Sequence, residues 1–319
     1  MSNPNIITYI EGYLESCTAF SPTDPDIKWT HCSVFQIQEW LLKTHHIAVY
    51  AKCIRRCLKA LGYVRRKPSK SIATGKSPFR EAQFLVILAF IKLFKGLKGE
   101  PMISMDTKKK ELVGNLTRNQ PVWLLKDDKI DVFDHDYPNL AAERANPHGI
   151  YDIKQNIGYM TVGNSAETAD FVVDNIEYWW ITYGIHNYPD ATRLLIFCDG
   201  GGANSYRHYR FKYRIQELAK SIGLIITICH YPPYCSKYNP IEHRLFAQIH
   251  RTMNGSHFLT LEHFQDCIEH TTTKTGLYIH VRIVRKVYER GRESTPKLLD
   301  EKHYKPAQNL PQFNYAFYP

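Results

Sequence analysis

Apolar positions recur along this chain with two different periods, and the change between them divides it. Ser33 is a helix-capping type and precedes Val34–Lys43, whose apolar spacing is helical. After a turn at Thr44–His46, a second helix is predicted over Val49–Leu61. It sets Ile54, Leu58 and Leu61 on one face and Lys52, Arg55, Arg56 and Lys59 on another. Gly62 is placed to stop it. A helix–turn–helix with a basic second helix has the shape that enters a DNA major groove. Tyr63–Lys70, carrying Arg65, Arg66 and Lys67, is expected to be a wing or a basic linker. Ser77-Pro78 opens a long amphipathic helix to about Phe94, ended by Gly96 and Gly99.

Beyond Gly99 the period shortens to that of strands. Met102–Asp106 and Glu111–Leu116 are predicted strands, and Lys126–Asp136 is an acidic loop. Gly149–Lys154 and Gly158–Val162 form a hairpin about Gln155–Ile157. Then come a helix over Ala166–Tyr183, a strand over Arg193–Asp199, a helix over Ser205–Ser221 stopped by Gly223, a strand over Leu224–Cys229 and a helix over Asn239–Met253. This order predicts an α/β domain with a mixed sheet and flanking helices, preceded by a small helical domain. The expected divisions are a helix–turn–helix domain at 1–72, a linking helix at 73–100, a catalytic domain at 101–280 and a basic C-terminal tail at 281–319.

Composition narrows the class. The chain has 319 residues, 44% of them hydrophobic, and a formal net charge of +10. From Lys52 to Lys110 there are 16 Lys and Arg against three acids, Glu81, Glu100 and Asp106. Such clustering points to a polyanionic partner, nucleic acid, over a basic surface that serves solubility alone. The eight cysteines are scattered, and several adjoin apolar residues, which fits reduced thiols in a cytoplasmic protein. Cys53/Cys57 and Cys229/His230/Cys235 lack the second pair that a zinc site needs. The N-terminus does not have a signal peptide's pattern, and the longest apolar stretch, Phe84–Phe94, is too short to span a membrane.

Three acids fall where an acid is awkward. Asp106 ends the apolar run from Met102, Asp199 ends Leu194–Cys198 and precedes Gly200-Gly201-Gly202, and Glu242 lies shortly after Leu224–Cys229. Each has an ordinary explanation. Asp106 can pair with Lys108, Lys109 or Lys110, and Asp199 can be turn chemistry. Glu242 can close a capping box on Asn239, with Pro240 at the first helical position. Together they suggest more: carboxylates at the carboxyl ends of strands in an α/β sheet converge, and converging carboxylates bind divalent metals for phosphoryl transfer.

The stretches holding these acids resemble bacterial insertion-sequence transposases with a Rhodopirellula-type DDE domain, of the mariner-like superfamily. The resemblance lies in the run from Cys198 to Phe246 (CDGGGANSYRHY…HYPPYCSKYNPIEHRLF), in MISMDTKKKELVGN from Met102, in GIYDIKQNIGYMTVG and in TTTKTGL at Thr271–Leu277, and spans roughly Trp29–Leu277. It implies an RNase H-like fold and metal-dependent DNA cleavage and strand transfer at insertion-sequence ends. It implies Asp106, Asp199 and Glu242 as catalytic and metal-holding residues, with two Mg²⁺ or Mn²⁺ as cofactors. It also implies double-stranded DNA as partner, both transposon ends and target, a homo-oligomer on DNA, and a bacterial, nucleoid-associated location. Two departures stand out. Family members carry a further N-terminal helix–turn–helix region ahead of the one seen here, and Tyr234 and Tyr238 replace glycine and tryptophan.

The expected DNA contacts are Lys52, Arg55, Arg56, Lys59, Arg65, Arg66, Lys108, Asn204, Lys237 and Arg244. His230 and His243 are auxiliary candidates that contact the scissile phosphate or orient water. Two other functions fit the same residues: a captured or degenerate transposase that binds DNA without catalysis, and an RNase H-fold nuclease that cleaves without joining.

Overall fold

Ser33 caps its helix as expected. Its Oγ accepts the Gln36 N–H while the Gln36 side chain accepts the Ser33 N–H, closing a capping box. The structure is a computed structural model that describes residues 4–20, 28–65, 77–117, 121, 123–292 and 294–319. It forms two compact units, Met1–Ile72 and Ala73–Pro319.

In the first unit, α1 (Ile6–Ser16), α2 (Val34–His45) and α3 (Ala51–Ala60) enclose Ile10, Leu14, Ile37, Leu41, Ile54 and Cys57. A short antiparallel pair, β1 (Thr18–Phe20) and β2 (Lys28–Thr30), joins α1 to α2 and was not expected. His46 ends α2 in the left-handed conformation. Lys52, Arg55, Arg56 and Lys59 are all exposed on α3, as is Arg65 beyond it, while Arg66 lies outside the described residues.

The second unit begins with α4 (Arg80–Gly96), followed by β3 (Met102–Thr107), β4 (Glu111–Val113), β5 (Glu143–Asp152) and β6 (Ile157–Gly163). Then come α5 (Ala169–Trp179), α6 (Ile185–Asn187), β7 (Arg193–Cys198), α7 (Tyr209–Ile222), β8 (Ile225–His230), α8 (Ala247–Met253), α9 (Leu261–Glu269), β9 (Tyr278–Val284), β10 (Tyr304–Pro306) and β11 (Asn314–Phe317). Among the described residues the strands form one nine-stranded sheet in the order β10-β11-β8-β7-β3-β5-β6-β9, with β4 on β5. Its heart, β6-β5-β3-β7-β8, has β3, β7 and β8 parallel and β5 antiparallel between β3 and β6. This is the RNase H-like arrangement, reached by the expected succession of hairpin and βαβ crossovers.

Period-two alternation in the central strands divides the core. Ile103, Met105, Leu194, Ile196, Ile226 and Ile228 meet α5 and α7 through Val172, Ile176, Phe211 and Ile215. Met102, Leu195, Phe197 and Cys229 instead pack against Ile87 and Phe94 of α4. The segment expected as a linking helix is therefore a structural layer of the sheet domain, because Ile87 and Phe94 are buried. Tyr151, Met160 and Val162 of the hairpin pack against Leu245, Ile249, Leu261 and Phe264.

The expected basic tail at 281–319 is also corrected. β9 continues the sheet beside β6, and β11 pairs with β8, burying Tyr315 and Phe317. These short strands gain their stability from long-range pairing and burial, which local pattern does not reveal. Among the described residues, no helix is long and apolar enough to cross a membrane.

Candidate active site

β3 and β7 are parallel neighbours with Met102 opposite Leu195, Ile103 opposite Ile196 and Ser104 opposite Phe197. Asp106 lies two residues beyond the last of these pairs and Asp199 two residues beyond its partner, so both acids fall at the carboxyl edge of the two strands, close enough for Asp199 to act on Asp106. Alternation puts Asp106 on the face of Ser104, and Asp199 follows directly on the end of β7 at Cys198.

Glu242 reaches this edge from another direction. Ser104, two residues before Asp106, donates its hydroxyl to Asn239 Oδ1 at 2.5 Å and accepts the Ile241 N–H at 3.0 Å. Asn239 Nδ2 donates to the Met105 carbonyl at 3.2 Å. The capping box imagined for Glu242 is absent from this set of contacts, because the Asn239 side chain is engaged by β3. Strand β3 thus supplies the cap and fixes the start of the segment bearing Glu242. Glu242–Phe246 is a single π-turn leading into α8, a local widening that recurs at functional sites.

Close approach depends on glycine. A Cβ on Gly149, which pairs with Asp106 across β3–β5, would stand 2.6 Å from Phe246 Cε1 and 2.9 Å from Ile241 Cδ1. One on Gly158 would stand 2.5 Å from Leu245 Cδ1. Both lie within the contact distance of side-chain carbons, so the missing side chains let this turn settle on the sheet.

The carboxylates feel one another. Burial and then the neighbouring Asp199 push the Asp106 carboxyl up to about 8, with Glu242 and Glu167 adding to the effect and the Thr107 N–H opposing it. Burial also raises Asp199, against hydrogen bonds from Gly201 N–H and Asn204 Nδ2, with Glu167 raising it further. Glu242 is raised by burial and by Asp199, and lowered by Lys108. Gathered hard oxygens with mutual repulsion are a donor set that suits Mg²⁺ or Mn²⁺, since a cation relieves the repulsion. Among the described residues, however, no group of three or more His, Cys, Asp or Glu side chains is drawn closely enough to hold an ion as it stands.

Glu167 is a residue that sequence reasoning missed. It is half-buried ahead of α5, and a Cβ on Gly202 would stand 3.2 Å from its Oε1. Its only signal in the sequence was an acid at a helix start, which helix dipoles favour everywhere.

The remaining expected residues divide by burial. Asn204 is 4% exposed and donates to Asp199 Oδ1 at 3.3 Å. Lys108 is 9% exposed, and its ammonium pairs with Glu111 at 2.5 Å, so it is not a free phosphate contact. His230 is fully buried with both ring nitrogens engaged inside the protein. Lys237, His243 and Arg244 are exposed around Glu242. Beside them a cavity of about 710 Å³ is lined by Lys108, Lys109, Lys110, Glu242 and His250.

No curated protein matches this chain. Solved structures similar to it include the Mos1 transposase paired-end complex with left transposon end, at 11% identity and a TM-score of 0.44, covering 82% of this chain and 70% of that one. Another is the Mos1 mariner paired end complex with Mn, at 12% identity and a TM-score of 0.43, covering 80% and 68%. The family described as the Rhodopirellula transposase DDE domain matches residues 10–319, which takes in the β3 and β7 edges, the Glu242 turn and the C-terminal strands alike. With its whole sheet domain inside that match, the chain belongs to the Rhodopirellula transposase DDE domain family.

Proposed function

We propose that this transposase cleaves DNA and transfers the cut strand with Asp106, Asp199 and Glu242 as the residues that hold divalent cations. The observation that carries the reading is the closeness of Asp106, near the end of β3, to Asp199, just beyond the end of the parallel neighbour β7, each raised by burial and Asp106 also by Asp199, with the Glu242 turn tied to Ser104 of the same strand as Asp106. Two Mg²⁺ or Mn²⁺ ions, when bound, supply activation of the attacking oxygen and stabilisation of the leaving oxygen. The chain's own residues supply the rest. The strand edges hold Asp106 and Asp199 in place, Asn204 turns the Asp199 carboxylate, and Lys108 offsets the charge of Glu242. Lys237 and Arg244, both exposed, are the residues taken to contact phosphates.

The same reading makes α2–α3 a DNA-reading helix–turn–helix, with Lys52, Arg55, Arg56, Lys59 and Arg65 exposed toward the partner. Double-stranded transposon ends and target are then the substrates, and the enzyme works as a homo-oligomer on paired ends.

The test is a strand-transfer assay with a 3′-hydroxyl donor carrying the element's own end and a plasmid target, in Mn²⁺ or Mg²⁺. Wild type nicks and joins, while Asp199→Ala loses both and still binds DNA. Joining retained in Asp199→Ala contradicts the assignment. Nicking without joining in wild type moves it to a nuclease, and DNA binding without either moves it to a captured transposase.

A further inference from the structure

The main-chain carbonyl of Asp199 ends a chain of polar groups that the proposed chemistry does not use. His230, the last residue of β8, is 0% exposed. Its Nδ1 lies 2.8 Å from the Asp199 main-chain carbonyl, and its Nε2 lies 2.7 Å from the Tyr315 hydroxyl. A carbonyl only accepts, so Nδ1 carries the proton and donates to Asp199 O. Nε2 is then a bare lone pair, and the Tyr315 O–H donates to it. Every group in the chain is satisfied in this one arrangement, with a neutral imidazole.

The place that this chain holds is otherwise weakly held. Bonded pairing of β7 with β8 ends at Cys198 opposite His230, so Asp199 is the first residue beyond the ladder. Gly200, Gly201 and Gly202 follow, and Gly202 has φ +61. Glycines give the backbone little stiffness of their own. The Asp199 side chain is held by Gly201 N–H and Asn204, but its main chain is held by His230. Tyr315 sits on β11, which is clamped in turn. Gln83 of α4 donates to the His230 carbonyl and to Asn314 Oδ1, both at 2.8 Å, and Asn314 Nδ2 donates back to Gln83 at 2.7 Å.

We infer that His230 is a positioning residue and that Tyr315, from the C-terminal strand, fixes its ring so that it holds the Asp199 backbone in place for metal binding. The inference rests on the reading of Asp199 as a metal-holding carboxylate. A second residue that sets a ligand's orientation is commonly worth about 10–100-fold in metal affinity or activity.

The experiment titrates the full-length chain with Mn²⁺, following bound ion by the loss of the free-ion electron spin resonance signal. DNA affinity and the single-turnover nicking rate are measured alongside. Tyr315→Phe keeps the ring packing and removes only the hydroxyl. It is expected to weaken Mn²⁺ affinity and slow nicking about 10-fold, with DNA affinity within about twofold of wild type. His230→Leu loses at least as much, and His230→Asn, whose amide N–H can stand where Nδ1–H stood, recovers most of that loss. Should His230→Leu fail to fold, Tyr315→Phe decides. Wild-type Mn²⁺ affinity and rate in Tyr315→Phe, in a preparation where Asp199→Ala loses both, overturns the positioning role and leaves the carboxylate reading standing. Wild-type Mn²⁺ affinity in Asp199→Ala overturns both.

Discussion

The Ser104 hydroxyl donates to Asn239 Oδ1 at 2.5 Å, joining the strand that carries Asp106 to the turn that carries Glu242 across 135 residues of sequence. Both partners are buried, with Ser104 and Asn239 each 0% exposed. Losing one leaves the other without its partner in the core, which costs about 1–3 kcal/mol. Ser104→Ala is therefore expected to lower unfolding stability by that amount in a urea titration and to slow nicking, because the Ile241 N–H loses its acceptor as well. An unchanged nicking rate in a destabilised Ser104→Ala protein would show that this tie supports the fold alone.

Gly149 sets how closely the Glu242 turn can approach. A methyl there meets Phe246 and Ile241 at under 3 Å, and overpacking of this kind costs about 1–3 kcal/mol. Gly158→Ala meets Leu245 as closely, but on a residue that does not pair with the Asp106 strand. Gly149→Ala is expected to lose more activity per degree of lost Tm than Gly158→Ala, as measured by paired thermal melts and nicking rates.

Buried like charges cost stability when no cation is present. Asp106→Asn removes one of them and can still accept the Thr107 N–H through its amide oxygen. In chelator-treated buffer its Tm is expected to rise above that of wild type, while adding Mn²⁺ raises the wild-type Tm and leaves the variant nearly unmoved. A lower metal-free Tm for Asp106→Asn would contradict the picture of mutually repelling carboxylates.

His148 provides the acid limit of stability. It is buried in β5, its Nδ1 has no hydrogen-bond partner, and burial followed by Arg282 holds its pKa down at about 3, against 6.5 for the ordinary group. Below pH 6.5 the unfolded chain takes up a proton that the folded chain refuses, so this group's contribution is intact above pH 6.5 and is lost as pH falls toward 3. His148→Gln is expected to flatten the fall in stability between pH 6 and 4, read from urea midpoints about every half unit. An unchanged slope excludes His148 as its source.

The α3 face is tested by salt. Each phosphate contact releases counterions and contributes about −0.9 to the slope of log K against log salt. Arg55→Ala and Lys59→Ala are each expected to make that slope shallower by about 0.9 in fluorescence anisotropy with duplex DNA. A parallel line at lower affinity would place their role in folding of the first unit instead.

Asp106 and Asp199 stand out in the sequence because an acid at the end of an apolar strand run violates the local pattern, and the structure sets them at the ends of the parallel neighbours β3 and β7. Glu242 was harder to judge, since Asn239-Pro240 is also a good helix start, and only the structure shows Asn239 spent on Ser104. Asn204, Lys108 and His230 were assigned outward roles because a polar residue near acids reads as a contact. What sequence does not carry is burial, and all three are buried. β10 and β11 escaped notice for a different reason. At three and four residues they have too little periodicity to register: β11 exists through pairing with the distant β8, Asn314 opposite Cys229, and β10 through pairing with β11. The strand expected over Glu111–Leu116 stops at Val113, where Gly114 takes φ +144.

The central claim is that Asp106, Asp199 and Glu242 form one metal-holding set. It is tested most directly by titrating Mn²⁺ into wild type and into Asp106→Ala, Asp199→Ala and Glu242→Ala, each checked by thermal melting to be folded. The account predicts saturable binding by wild type, a loss of about 10-fold or more in affinity for each variant, and no further loss when two substitutions are combined. Wild-type affinity in any one of the three folded variants would contradict it.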